Sequence, residues 1–262
     1  MNPTRLIRVV RDIVAQRAEG LTQRGEMDRR EFARVLTIGA IAPLVAACKA
    51  PDSALAKRFL SGAEKNNQRL EQWLLRTARG TDRVPRGVAV AGEAFPSYFI
   101  SPNVPVWNPD MGGPWTLTVN GAVRNPLTLT YDAVRQLATR THTVHHYCVE
   151  GWSALARFNG IPFGELARLA QPLPTAGYVD FQSFDNHYHE SWDIESTMHP
   201  QTLVVVGKED KPLSPMYGAP ARIHSPVKLG FKNTKYLTTI TFMSQPNGGY
   251  WSDEGYEWFG GT

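Results

Sequence analysis

Along the C-terminal two-thirds of this chain, apolar residues come in short runs separated by turn residues, a pattern of many strands and few, brief helices. Trp115–Gly121 alternates apolar and polar positions up to an Asn-Gly turn signal, and Tyr236–Met243 repeats the same period of two, so both read as strands with one buried face. Tyr178–Phe184, Leu203–Val206 and Ala221–His224 read as further strands, and Thr141–Tyr147, rich in β-branched and aromatic residues, reads as a strand that delivers Cys148 at its end. Thr130 is placed to N-cap a short helix through Leu137, and Pro162 to start another that contains Leu166 and Leu169. Short helices and many strands in mixed order predict an α+β, sheet-rich domain with short peripheral helices over residues 84–262, and no repeat or linker divides that stretch.

Upstream the regular period disappears. Residues 84–114 hold Pro at 85, 96, 102, 105, 109 and 114 and Gly at 87, 92, 112 and 113, which predicts an extended, irregular segment of the kind that lines a site. Residues 48–83 scatter apolar side chains at 55, 59, 60, 70, 74 and 75 among charges, as a tether with peripheral helices does. Before them, Asp28-Arg29-Arg30-Glu31-Phe32-Ala33-Arg34 leads into an apolar run from Val35 to Ala47. That run falls short of the roughly 20 residues a spanning helix needs, but suits the h-region of an export signal of twin-arginine form. Val45-Ala46-Ala47-Cys48 closes it as a lipobox does, with Cys48 as the lipidated residue. Residues 1–47 are therefore expected to export the folded protein across a bacterial inner membrane and leave it lipid-anchored in the periplasm or cell envelope. Met27 is a second candidate start within that segment.

Composition changes the picture mainly by exclusion. The formal net charge is +4, but residues 1–47 carry eight Arg against five acids, which leaves about +1 on the rest. A nearly neutral domain lacks the clustered basic face of a nucleic-acid binder. Two cysteines, Cys48 and Cys148, make no disulfide framework.

The chemistry concentrates in three blocks: His145-His146-Tyr147-Cys148-Val149-Glu150-Gly151-Trp152-Ser153, Tyr217-Gly-Ala-Pro-Ala-Arg222, and Gly230-Phe-Lys-Asn-Thr-Lys235-Tyr236. In this order and spacing they resemble the molybdopterin-binding domain of the sulfite oxidase superfamily, and most closely the branch holding periplasmic sulfoxide reductase catalytic subunits, over roughly residues 94–262. The resemblance implies a molybdenum-molybdopterin cofactor with Cys148 as the protein ligand of the metal, a soft thiolate beside soft dithiolene sulfurs. It implies pterin contacts at Tyr98, Phe99, Ser183, Tyr217, Arg222, Asn233, Thr234 and Lys235, the last group offering donors for a terminal phosphate. His146 and Tyr188, with His145, His187 and His189 near them, are candidates for assisting proton transfer. The absence of a CxxCH motif implies an external redox partner, a haem protein or a quinone-linked membrane subunit.

Departures from the family pattern bear on the substrate. Sulfite oxidases carry Arg-Asn-His where this chain reads Ser101-Pro102-Asn103, and an Arg soon after the metal cysteine where this chain reads Val149-Glu150-Gly151-Trp152. Oxygen-atom transfer on a small neutral molecule, sulfoxide-like rather than sulfite, fits these residues better. Phe95 and Tyr217 replace asparagines of the sulfoxide reductase pattern, so the substrate does not carry over from that branch unchanged. Competing readings are a zinc hydrolase drawing on Cys148 with His145, His146, His187, His189 or His199, a thiol hydrolase, and an exported lipoprotein that keeps the fold without the cofactor and acts as a binding protein.

Overall fold

The computed structural model describes residues 54–78, 82–84 and 88–262. The twin-arginine segment and the Cys48 lipobox lie outside them. A 25-residue helix spans Ala54–Ala78. The chain divides into two compact units after Asn67, and both sheets belong to the second, Gln68–Thr262.

The first sheet has strand order β2-β1-β10-β5-β6, made from β1 (Thr116–Gly121), β2 (Leu127–Thr130), β5 (Tyr178–Ser183), β6 (His189–Asp193) and β10 (Leu237–Met243). All neighbours are antiparallel except β1 and β10, which run parallel with Thr118 beside Thr239. The second sheet joins β3 (Arg140–Tyr147), β4 (Ser153–Pro162), β7 (Leu203–Lys208), the short β8 (Lys211–Pro212) and β9 (Arg222–His224), with β8 and β9 both on β7.

Period-two patterning decides which faces are buried. In β1, Leu117 and Val119 are fully buried while Thr116 and Thr118 are not. These two join Phe181, Trp192, Ile240 and Phe242 and the helix Phe163–Ala170 in one core. Strand β7 is buried on both faces: Val204 and Val206 enter that core, whereas Leu203 and Val205 enter a second one with Phe95, Val144, Phe158 and Tyr217. Gly160 marks a bulge where β4 crosses β7, because a Cβ there would stand 2.2 Å from the Val204 carbonyl oxygen.

Every strand and helix read from the pattern downstream of residue 114 is present, to within a few residues. Thr130 Oγ1 accepts from Ala133 N–H, the expected cap, and Pro162 precedes the helix Phe163–Ala170. The pattern does not announce β2, β4, β6 or β8. Strand β4 holds Gly160 and Pro162 near its end and gains its extended form from eight paired positions against β3. Strand β6, His-Glu-Ser-Trp-Asp, looks like a surface turn, yet Glu190, Ser191 and Asp193 are buried because each has a partner. Glu190 and Lys232 form an ion pair with both side chains fully buried, and Asp193 pairs with Lys228 at 3.2 Å. The described residues of the irregular segment, 84 and 88–114, form no strand and hold a 3-10 turn at Gly92–Ala94 and a short helix at Pro109–Gly112.

Candidate active site

The β3–β4 hairpin delivers the thiol. Past Tyr147 the chain closes a tight turn in which Cys148 N–H donates to the Trp152 carbonyl at 2.9 Å and Gly151 N–H donates to the Cys148 carbonyl at 3.0 Å. Gly151 sits at φ +87°, a conformation glycine adopts without strain. The turn sets the free thiol of Cys148, half-buried, on the wall of a cavity of about 320 Å³.

Beside the thiol stands Glu150. Its Oε2 accepts from Trp152 Nε1–H at 3.0 Å, from the Tyr98 hydroxyl at 3.3 Å and from Cys148 Sγ–H at 3.7 Å. The Trp152 and Tyr98 donors hold the Glu150 carboxyl below the usual carboxylate range. Burial, aided by the Glu150 charge, raises the Cys148 thiol above its usual range. A thiol so placed keeps its proton until a metal ion displaces it.

Two cationic side chains line the same cavity. Arg222, on β9, is 1% exposed and donates to the carbonyls of Tyr217 at 3.2 Å, Asn233 at 3.3 Å and Ile223 at 3.5 Å. Burial brings its pKa down to about 10, which leaves it cationic at neutral pH. Half-buried Lys235 donates to the Tyr98 carbonyl, and burial together with the Arg222 charge pushes its ammonium well below the usual range. Neither forms an ion pair among the described residues, whereas the nearby lysines 228 and 232 both do. A buried guanidinium with no ion-pair partner is costly, and an anionic group of a ligand relieves that cost. The cavity therefore fits a group with a soft metal at the Cys148 end and a phosphate at the Arg222 end.

A strap formed by Phe95–Ser101 covers the cavity. Asp185, 3% exposed at the end of β5, accepts from Ile100 N–H at 2.7 Å, from Ser101 N–H at 3.0 Å and from the Ser101 hydroxyl. The Asp185 N–H in turn donates to Ser183 Oγ at 2.8 Å. These bonds hold Tyr98 and Phe99 along the cavity wall.

Most of the sequence-predicted residues converge here. Tyr98, Phe99, His146, Cys148, Ser183, Tyr188, Arg222, Asn233 and Lys235 all line the one cavity. Tyr217 and Thr234 do not. Tyr217 packs edge-on to Phe95 at 5.8 Å, and its carbonyl accepts from Arg222. Thr234 is fully buried with its hydroxyl unpartnered, and its carbonyl accepts from Ile223 N–H, which pins the Gly230–Lys235 turn to β9. That turn also differs from the expected row of free backbone donors: the N–H groups of Lys232, Asn233 and Thr234 are spent on the carbonyls of Leu229, Gly230 and Lys232. The Asn233 amide is committed as well, to Ser225 N–H and the carbonyls of Lys228 and Leu229, so this side chain shapes the turn.

The expected proton carriers are constrained. His146 is 8% exposed, its Nδ1 lies 3.3 Å from His224 Nε2, and burial lowers its pKa to about 3. It stays neutral in the physiological range and serves as a fixed polar wall. The Tyr188 hydroxyl donates to the Phe231 carbonyl, and burial holds the phenol well above its usual range. His145 is bonded to Asp82 and His189 to Asp180, and neither they nor His187 line the cavity. No group of three or more His, Cys, Asp or Glu side chains among the described residues is arranged to hold a metal ion. The strap anchor Asp185 and the His146 partner His224 were not read from the sequence: an Asp-Asn pair after a strand reads as an ordinary turn, and only the fold brings position 224 against 146.

The fold and the site together define a sheet-rich α+β domain with one cavity lined by a free cysteine, a buried arginine and a half-buried lysine. Residues 103–251 match the oxidoreductase molybdopterin binding domain, and the chain belongs to that family. A protein of Azospira oryzae, provisionally named protein-methionine-sulfoxide reductase subunit YedZ1, is 31% identical over 235 residues, 89% of this chain and 88% of its own. The protein-methionine-sulfoxide reductase catalytic subunit MsrP of Xanthomonas axonopodis pv. citri is 33% identical over 155 residues, 53% of this chain. The chain spans 48% of that MsrP and 44% of the one from Burkholderia mallei, about half the length of these relatives. Among solved structures, the sulfane dehydrogenase SoxCD of Paracoccus pantotrophus aligns with a TM-score of 0.48 and 18% identity, over 50% of this chain and 39% of that one.

Proposed function

We propose that this oxidoreductase binds molybdenum-molybdopterin in the Cys148 cavity and reduces a sulfoxide, with electrons from an external partner. The observation that carries the reading is that one cavity is lined both by a thiol that a metal would deprotonate and by a buried guanidinium that forms no ion pair among the described residues. Cys148 holds the metal, Arg222 and Lys235 hold the phosphate end, and Tyr98 and Phe99 cover the pterin from the strap. When bound, the cofactor would supply the two-electron chemistry by which a sulfoxide, two protons and two electrons become a sulfide and water.

The chain's own residues set the conditions for that exchange. Phe95, Tyr98, Trp152, Phe231, Trp251 and Tyr256 make the rest of the cavity wall largely aromatic, which favours a neutral, partly apolar substrate and excludes water. The Glu150 carboxylate beside the thiol opposes a dianion such as sulfite. The relatives' names point to methionine sulfoxide as the substrate. With Tyr188 and His146 both held in their neutral forms, protons reach the site from solvent. The electron donor is a haem protein or a quinone-linked membrane subunit, and twin-arginine export with lipidation of Cys48 places the enzyme on the outer side of the inner membrane.

Elemental analysis of protein made in a molybdopterin-producing host tests the reading, with Cys148→Ser as its pair. About one molybdenum per chain, lost or spectroscopically altered in the variant, together with reduction of methionine sulfoxide by reduced dye, is expected. Zinc in place of molybdenum would turn the reading toward a hydrolase, and protein with no metal would leave a binding lipoprotein.

A further inference from the structure

Three exposed side chains that line the Cys148 cavity mark where it meets solvent: Tyr98, 63% exposed, Val149, 48%, and Tyr256, 40%. Glu150, exposed as well, lines the cavity with them. At this edge the Tyr98 hydroxyl donates to Glu150 Oε2 at 3.3 Å, which joins the strap to the β3–β4 turn across 52 positions of sequence. The two ends of that bond are held differently. Glu150 is fixed by Trp152 Nε1–H at 3.0 Å. On the strap it is the backbone that is fixed: Lys235 donates to the Tyr98 carbonyl, Phe95 packs into the second core, and Asp185 accepts from the Ile100 and Ser101 N–H groups. What is left to move is the Tyr98 ring, which turns between staggered side-chain positions while the strap stays in place. Water competes for both ends of an exposed hydrogen bond, so this one opens readily.

We propose that Tyr98 gates the cavity: caught on Glu150, its ring narrows the entrance and sets the size of sulfoxide that reaches Cys148, and a bulkier substrate enters when the ring swings out. The role in substrate choice rests on the sulfoxide reading above; the gate itself does not.

The test has two parts, both on the full chain. In cofactor-free protein the Cys148 thiol is alkylated with N-ethylmaleimide or the bulkier pyrene maleimide, and modification is read by mass on the Cys148 peptide, apart from Cys48. A change in thiol acidity moves both reagents together, so the ratio of their rates reads access alone. Tyr98→Phe keeps the ring and removes the catch, and should raise the bulky-to-small ratio about fivefold, the worth of one such hydrogen bond. Tyr98→Ala removes the gate and should raise the ratio further. In cofactor-loaded protein, with rates per bound molybdenum, kcat/KM for a methionine-sulfoxide pentapeptide relative to dimethyl sulfoxide should rise in the same order. Alkylation ratios equal to wild type in both variants would overturn the gate, whether or not the enzyme reduces sulfoxides. Quickened amide exchange at Ile100 and Ser101 in Tyr98→Phe would also overturn it, by showing a strap that lifts as a whole. A turnover ratio that stays put while the alkylation ratio rises would overturn the role in substrate choice. Alkylation ratios that rise in a protein that reduces no sulfoxide would uphold the gate and refute the sulfoxide reading.

Discussion

Asp185→Asn isolates what holds the strap over the cavity. The carboxylate, 3% exposed, accepts from the N–H groups of Ile100 and Ser101 and from the Ser101 hydroxyl. Asparagine has nearly the same shape but one acceptor oxygen, and its amide group presents hydrogens to a donor. At least one charge-assisted bond to a backbone N–H is lost, worth about 1.5–3 kcal/mol. The loss falls on a segment held otherwise mainly by the Lys235 bond to the Tyr98 carbonyl and by the Phe95 ring. Opening is therefore local, and native-state amide exchange at Ile100 and Ser101 should quicken roughly ten- to hundredfold. Amides of β5 and β10 should keep their protection. In cofactor-loaded protein the same variant should release the pterin faster, because the strap carries Tyr98 and Phe99. Unchanged exchange at Ile100 and Ser101 in a folded Asp185→Asn protein would refute the anchoring argument.

Four further outcomes follow from the same geometry. Arg222→Met should abolish cofactor retention, measured as pterin released after gel filtration, while Arg222→Lys should retain it weakly because an ammonium cannot reach three carbonyls and a phosphate at once. Lys232→Met leaves the buried Glu190 without its ion-pair partner and should cost about 3–5 kcal/mol in urea unfolding, most of it regained when Glu190 is changed to Gln as well. Gly230→Ala would place a Cβ 2.7 Å from His146 Nε2 and should lose about 1–3 kcal/mol. For His146, the folded pKa of about 3 lies below the unfolded value, so the unfolded chain binds more protons and stability falls as pH drops below about 6.5. In cofactor-free protein, His146→Phe should flatten that loss by up to about 1.4 kcal/mol per pH unit, read from unfolding midpoints at a series of pH values.

The fold was legible where burial alone sets the pattern. Strands β1 and β10 show clean alternation because one face meets the core and the other does not, and Thr130 and Pro162 mark helix starts through local chemistry. Strands β4 and β6 were hidden for different reasons. Extended structure in β4 comes from pairing with β3, a tertiary cause that leaves little trace in the order of residues. In β6, Glu190 and Asp193 read as solvent-facing residues, and their burial depends on Lys232 and Lys228, about forty positions away.

The site divides along the same line. Cys148, Arg222 and Lys235 could be read because each lies in a block whose neighbours serve the same cavity: Gly151 lets the hairpin turn, and Thr234 ties its loop to β9. Residues that act on the cavity from outside the blocks could not. Asp185 matters because it gathers two amides from a strap more than eighty positions upstream, and nothing in Ser-Phe-Asp-Asn reveals those partners. His146 shows the converse. Its sequence suggests a group ready to titrate near neutrality, but the aromatic rings of Phe95 and Trp152, the His224 ring and the Arg222 charge surround it and remove that capacity. Residue type sets which chemistry is available at a position, and burial together with neighbouring charge decides whether that chemistry is used. Cys148 follows this rule too: the surroundings that keep its thiol protonated are apolar walls and a carboxylate, against which only a metal cation has a strong advantage over the proton.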